Sequence, residues 1–252
     1  NFIYRTREFE QMEMEYFVEP KDADRFFDQW KEELMQWYLD LGVKKENLRF
    51  REHEKDELAH YARKATDIEY NFPFGWREIE GIHDRGDWDL SNHAKHSGQN
   101  LKHEGSYPYV VETSAGADRS VLVFLLDALE SVKGGRTETT ESTKDEELVL
   151  KLHKRLAPIK VAILPLVKNK EDITTKAKEV FDLLKPHFMT QYDEQDSVGR
   201  RYRRQDEVGT PFCVTIDFDT LNDNSVTVRD RDTMEQERVK VDKLVDYLLE
   251  KL

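Results

Sequence analysis

Three stretches of this sequence carry residue types that could do chemistry. The first is Arg5-Thr6-Arg7-Glu8-Phe9-Glu10-Gln11-Met12-Glu13. On a strand, Arg5, Arg7, Phe9, Gln11 and Glu13 share a face. That face offers guanidinium forks for phosphate, an aromatic ring for a base and an acid for an ammonium group. The second is Glu78-Ile79-Glu80, two acids two residues apart on a strand and suited to oxygen-ligated Mg²⁺. The third is Glu112-Thr113-Ser114-Ala115-Gly116-Ala117-Asp118-Arg119, where a strand ends in small residues and an arginine opens an apolar helix. Taken singly, each stretch also fits an ordinary structural role.

Other constellations carry less. His53, Glu57 and His60 would line one face of a helix over 54–64, but their spacing is not that of a His-Glu-x-x-His zinc site, and a structural polar face is the simpler reading. His93 and His96 sit three apart on an expected loop. No glycine-rich phosphate loop of either standard type occurs, and Cys213, the only cysteine, lies in an apolar strand and reads as inert core. Arg200, Arg201, Arg203 and Arg204 bracket Tyr202, a pattern suited to single-stranded RNA bases. A solvated loop balanced by Asp193, Glu194, Asp196, Asp206 and Glu207 fits those arginines equally well.

The elements that must position these residues follow from periodicity. Residues 2–18 alternate like a strand with one buried face, and 21–41 repeat at helical spacing up to Gly42. Strands are expected over 66–72, 76–82 and 107–113, a turn over 114–116 and a helix over 119–129. The polar stretch 131–147 reads as a surface loop. Beyond Pro158 strands over 160–166, 212–218 and 225–229 alternate with helices over 171–187 and 240–252. The fold class is therefore α+β, an antiparallel sheet with flanking helices over 1–157 followed by a smaller α/β domain over 158–252.

Composition narrows the class. With 252 residues, 11% aromatics and no long apolar run, the chain reads as soluble and globular, with no membrane span and a cytoplasmic setting. A net charge of −13 disfavours non-specific grip on nucleic acid, though local basic clusters can still bind it. The chain opens on Asn1 and runs directly into a strand-like pattern, which suggests a fragment cut inside a domain.

Together these stretches resemble one family. Arg5–Glu13 resembles the second half of motif 2 of a class II aminoacyl-tRNA synthetase, and Ser114–Arg119 resembles its motif 3. Asn71-Phe72-Pro73-Phe74-Gly75-Trp76, Glu112-Thr113-Ser114 and the run from Gly199 to Pro211 are similar to the homodimeric glycyl-tRNA synthetases. The resemblance covers the chain outside the 131–147 loop. It lacks motif 1 and the Phe-Arg-x-Glu opening of motif 2.

The resemblance implies ATP-dependent activation of glycine to glycyl-adenylate and transfer to tRNA(Gly), with Mg²⁺ and a homodimeric parent. Arg5 and Arg119 would be the catalytic arginines flanking the triphosphate. The ATP site would further take in Tyr4, Thr6, Arg7, Glu8, Phe9 (stacking on adenine), Gly116, Ala117 and Asp118. Glu78, with Ile79 beside it, would meet ATP and hold the metal. Phe9, Glu10, Gln11, Met12, Glu13, Arg85, Glu112, Thr113, Ser114, Ala115 and Gly116 would enclose glycine. The 158–252 domain would bind the anticodon, with Arg200, Arg201, Arg203 and Arg204 on tRNA. A substrate without a side chain offers only an ammonium and a carboxylate, so acids around the amine and a small pocket must recognise it. The competing reading is a non-catalytic class II-like accessory or RNA-binding protein. The joint presence of Arg5, Phe9, Glu78, Glu112, Ser114 and Arg119 argues against it.

Overall fold

A computed structural model describes residues 2–133 and 146–252, which belong to two compact units, 1–127 and 128–252. In the first unit a 3₁₀ turn over Phe2–Tyr4 precedes β1 (Gln11–Val18), and a second at Pro20–Asp22 leads into α1 (Ala23–Asp40). Then come β2 (Leu48–Glu52), β3 (Lys64–Phe72), β4 (Gly75–Gly86), α2 (Trp88–Ser97), β5 (Tyr109–Gly116) and α3 (Ala117–Ala128). The sheet order is β1-β5-β4-β3-β2, with every neighbouring pair antiparallel.

Strand alternation gives this sheet two different faces. Val18, Ile68, Ile82 and Val111 pack with Phe27 and Tyr38 of α1 and Val123 of α3 in one core. Glu13, Ser114 and Gly81 lie side by side across three strands on the other face. Helix α1 stops where Gly42 adopts φ 92°. Gly42 N–H donates to Leu39 O at 2.9 Å and Val43 N–H to Tyr38 O at 3.0 Å, the pairing of a Schellman cap. The β3–β4 hairpin turns through Pro73-Phe74 into Gly75 at φ 98°, a conformation open to glycine.

Several expectations change in this unit. The strand expected from residue 2 begins only at Gln11. Its partner β5 runs out at Gly116, where α3 starts, and Ala117 N–H to Glu10 O at 2.9 Å is the last bond of the ladder. No helix forms over 54–64. The Glu57 carboxylate instead accepts from Glu54 N–H at 3.0 Å and pairs with Arg51, holding a turn. The residues at 114–116 continue β5 rather than turning, and His93 and His96 lie on α2, not on a loop.

In the second unit β6 (Leu129–Lys133) pairs with β7 (Glu146–Leu150). The remaining elements are β8 (Val161–Pro165), α4 (Glu171–Leu184), β9 (Thr190–Tyr192), α5 (Val198–Val208), β10 (Phe212–Ile216), α6 (Phe218–Asp223), β11 (Ser225–Asp230), β12 (Gln236–Lys240) and α7 (Leu244–Lys251). The sheet order is β12-β11-β10-β8-β9, with β8 parallel to both neighbours and the rest antiparallel. Strands β8 and β10 are buried on both faces, which is why they read as unbroken apolar runs. Val161 and Ile163 pack with α4 and α7 on one side, Ala162 and Leu164 with Tyr202 and Cys213 on the other.

The expected 131–147 loop is strand at both ends; residues 134–145 lie outside the described residues. The arginine-rich stretch forms α5 rather than a loop. The final helix starts at Leu244 because 236–240 pairs as β12 along β11.

Candidate active site

The polar face of the first unit's sheet carries a cleft of about 240 Å³. Tyr4, Arg5, Thr6, Phe9, Glu10 and Gln11 line it from the segment before and at the start of β1. Glu78 of β4 adds an acid, and Ser114, Gly116, Asp118 and Arg119 come from the β5–α3 junction. Thus the first and third stretches singled out in the sequence, with Glu78 of the second, meet in one place.

Arg119 is held on two sides. Its Nη1 donates to Glu78 O at 2.9 Å and reaches Glu78 Oε1 at 3.4 Å, and its guanidinium carbon lies 4.4 Å from the Tyr4 ring centroid. Tyr4 donates to the same Glu78 carbonyl at 3.2 Å and packs edge-on against Phe72 and Phe74. Burial raises the Tyr4 hydroxyl above its ordinary value, with Arg119 opposing. Phe9 is 57% exposed at the rim, a free ring face beside the cationic groups. Arg7 and Glu8 do not line the cleft; the Glu8 carbonyl accepts from Thr6 Oγ1 at 2.8 Å.

The acidic half of the site lies along β1 and β5. Ser114 faces Glu13 and Gly81 in register; its Oγ donates to Glu13 Oε1 at 3.3 Å and accepts from Gln11 Nε2 at 3.3 Å. Gly81, Ser114 and Gly116 give this floor almost no side-chain volume. One row along, Glu112 pairs with Arg85, and Arg85 also donates to Asp89 at 2.6 and 3.0 Å and lies 4.1 Å from the Tyr61 ring centroid. The hydrogen bonds to Asp89 raise the Arg85 guanidinium and hold Asp89 below the usual carboxylate range. His83 lies with Nδ1 3.8 Å from Glu112 Oε1, and burial lowers its imidazole.

The structure separates some residues the sequence grouped. Glu78 pairs with Glu69 and Glu80 with Ile68, so Ile79 is a bulge and the two acids sit on opposite faces. Glu80 is buried on the core face, where burial pushes its carboxyl up to about 7 against the opposing Tyr38 hydroxyl. The expected pair of metal-binding acids is therefore one acid, Glu78. Ile79 is fully buried and has no side chain to offer a nucleotide. Met12, Thr113 and Ala115 of the expected glycine pocket line a groove on the face opposite Ser114, because strand residues alternate. Ala117 contributes the backbone contact to Glu10. His53 binds Asp67 at 2.8 Å and His60 packs on Trp88, so the helical His-Glu-His face does not exist.

Sequence reasoning missed Tyr61, Asp89, His83 and Glu15. Asp89 stands four residues after Arg85, and Glu15 continues the alternation Gln11–Glu13; those spacings were the available signals.

In the second unit the four arginines part company. Arg201 is buried, and its guanidinium donates to Pro165 O, to Gln195 O at 3.1 Å and to Asp196 O at 2.8 Å. Arg203 pairs with Glu147 at 3.0 Å, and Arg204 with Asp193 and Asp196 at 2.8 Å each. Arg200 is the most exposed, its side chain at 67%, with Asp196 3.7 Å away. Buried Tyr202 bonds Thr215 at 2.6 Å and cannot stack on a base. Burial raises the Cys213 thiol, which fits an inert core residue.

Comparison with known proteins shows what the chain is similar to. Glycine–tRNA ligase of Caldanaerobacter subterraneus subsp. tengcongensis is 50% identical over 260 residues, covering 100% of this chain and 54% of that protein. Those of Thermobifida fusca (48%, 100% and 56%) and Alkaliphilus metalliredigens (50%, 100% and 54%) are similar in the same way. The chain is a homologue of glycine–tRNA ligase. It spans about half the length of the glycine–tRNA ligases it matches. Residues 160–251 also match the family of the anticodon binding domain, within the mixed-sheet unit. The similarity to glycine–tRNA ligases runs along the whole chain.

Proposed function

We propose that this chain carries the motif 2 and motif 3 parts of a glycine–tRNA ligase active site together with its anticodon-binding part. Functionally the chain divides at 157/158, and the anticodon-domain match beginning at Ile159's neighbour, Lys160, supports that division. The observation that carries the reading is the meeting of Arg5, Phe9, Glu78 and Arg119 in one cleft beside the Glu13–Ser114 pair.

In this reading Arg5 and Arg119 take the triphosphate and Phe9 stacks on adenine, with Thr6, Gly116 and Asp118 around it. Glu78, a half-exposed carboxylate beside the arginine, suits a Mg²⁺ ion that arrives with the phosphates, since such ions use one or two carboxylates plus substrate oxygens. When bound, the ion would neutralise phosphate charge. Glu13, Glu112 and Ser114 face the ammonium of glycine, with Gln11 and Arg85 supporting them. The glycine carboxylate forms a bond to the α-phosphorus as the bond to pyrophosphate breaks. The terminal ribose hydroxyl of tRNA(Gly) then attacks the glycyl carbonyl and releases AMP. No side chain need exchange a proton in the first step, so positioning and fixed positive charge carry the rate.

Arg200 is the α5 residue best placed to meet an RNA phosphate. A homodimeric parent in the cytoplasm completes the reading, and a lone buried cysteine agrees with a reducing compartment. Calorimetric titration of the chain with Mg-ATP and with glycine tests the reading. Saturable ATP binding that is lost in Arg119→Ala, and glycine binding that alanine does not reproduce, are expected. ATP affinity unchanged by Arg119→Ala would overturn it.

A further inference from the structure

Away from the cleft, a second group of side chains with metal-ligand chemistry converges. Glu19, His103 and Glu104 each bring one ligand atom to a common place, the three atoms lying within 4.8 Å of one another. Among the described residues no other three His, Cys, Asp or Glu side chains meet in this way. They come from separate parts of the first unit. Glu19 is half-buried and follows Val18, whose partner across the β1–β5 ladder is Tyr109. His103 and Glu104, both exposed, belong to the segment 98–108 that leads from α2 into β5.

The local backbone sets the two loop ligands side by side. His103 and Ser106 exchange backbone hydrogen bonds at 2.8 and 3.1 Å, closing a tight turn with Glu104 at φ 48° and Gly105 at φ 91°. Positive φ at both central residues is the pattern of a type I′ turn, where Asn, Asp or Gly ordinarily comes first. Here a longer acid holds that position. Among the described residues none of the three side chains has a hydrogen bond or an ion pair. The neighbouring cation, Lys102, lies instead over the Tyr107 ring, 5.3 Å from its centroid. Two carboxylates drawn together beside an imidazole, with no ammonium or guanidinium between them, form a set that a divalent ion would complete.

We propose that Glu19, His103 and Glu104 bind a first-row divalent transition ion of the Zn²⁺ type, which clips the 98–108 segment to the end of β1. The imidazole decides the class of ion. Nitrogen ligands suit Zn²⁺ and its neighbours, whereas Mg²⁺ and Ca²⁺ take oxygens. Around Zn²⁺ at about 2.1 Å, tetrahedral ligand atoms stand roughly 3.4 Å apart, so the side chains must close by about an ångström. A glutamate has three torsions to do so by a small rotamer adjustment. Three protein ligands leave a further position for water. The site is distinct from Glu78, which lies in the cleft. Strands β1 and β5 meet that cleft at Gln11 and Gly116, so the ion braces the opposite end of the same ladder.

The test titrates the full chain with Zn²⁺ and follows heat and melting temperature. One saturable site is expected, and Zn²⁺ should raise the melting temperature. His103→Ala and Glu19→Gln should each weaken Zn²⁺ at least tenfold and abolish the rise. The double variant His93→Ala with His96→Ala, which removes the histidine pair of α2, should leave the affinity unchanged. A thousandfold excess of Mg²⁺ should not displace the ion, and zinc-edge X-ray absorption should show one imidazole among oxygen ligands. Affinity unchanged by His103→Ala overturns the proposal, as does Mg²⁺ binding as tightly as Zn²⁺ or the lack of a saturable Zn²⁺ site. The three side chains have no partner to lose, so metal-free melts of the variants should match the native chain. Glu104→Gln gives a second reading of the carboxylate arm should Glu19→Gln melt early.

Discussion

Arg119 lies over the ring of Tyr4, its guanidinium carbon 4.4 Å from the ring centroid. The arginine opens α3 and the tyrosine closes the 3₁₀ turn at the start of the chain, and both donate to the carbonyl of Glu78. A flexible side chain is thereby fixed by a ring and one acceptor.

Tyr4 should accordingly matter for nucleotide binding without touching phosphate. Tyr4→Phe keeps the ring and loses one hydrogen bond, worth about 0.5–1.5 kcal/mol. Tyr4→Ala also loses the cation–π platform, about 0.5–2 kcal/mol more. Mg-ATP affinity by calorimetry should fall two- to thirtyfold further in Tyr4→Ala than in Tyr4→Phe. Equal affinities would mean that Arg119 needs no platform.

Glu112→Gln should weaken glycine far more than ATP. It removes a charge-assisted contact worth about 1.5–3 kcal/mol, roughly ten- to a hundredfold in affinity. Ser114→Ala should be mild and Ser114→Val severe, because the valine would fill the floor beside Gly81. Parallel loss of ATP and glycine in Glu112→Gln would move Glu112 out of the amino-acid pocket.

Glu80 should make the fold weaken as pH rises. Its carboxyl is pushed up to about 7 in the folded chain against about 4.5 unfolded. Between those values the folded state holds a proton that the unfolded state has lost. The stabilisation is thus full below about 4.5 and lost as pH climbs through about 7, up to roughly 3 kcal/mol. Urea melts at pH 5 and pH 8 should differ in that direction, and Glu80→Gln should flatten the difference.

In the second unit Asp206 and Arg229 form a buried bidentate pair at 2.9 and 3.1 Å, with Tyr202 4.8 Å from the guanidinium. Asp206→Ala strands a buried cation and should cost about 3–5 kcal/mol in urea unfolding. The double change Asp206→Leu with Arg229→Met should recover most of that loss. A single variant as stable as the native chain would show that water reaches Arg229.

Arg200 and Arg201 should separate binding from folding. Arg200→Glu should lower the slope of RNA affinity against salt by about one unit while leaving stability unchanged. Arg201→Ala leaves three carbonyls without a donor and should lower the melting temperature first. If Arg201→Ala impaired RNA binding at unchanged stability, its guanidinium would have to leave its carbonyls to reach RNA.

The candidate residues and most of the frame are legible in the sequence. Alternation located β3, β4 and β5, helical spacing located α1 and α4, and the strings around Arg5, Glu112 and Arg119 carried the family. These signals are local, and each survives in a window of a few residues. What only the tertiary structure decided depends on partners far along the chain. Whether residues 2–10 are strand depends on where β5 ends, and whether 54–64 is helix depends on the Arg51–Glu57 pair and on His53 finding Asp67. Glu78 and Glu80 part company because a bulge opposite Ile68/Glu69 changes the alternation, and no spacing rule announces a bulge. Arg201, read as a surface cation, is buried because three backbone carbonyls from one loop and a strand end converge on it. Residue type sets what a side chain can do; burial and partners, which come from distant segments, set what it does.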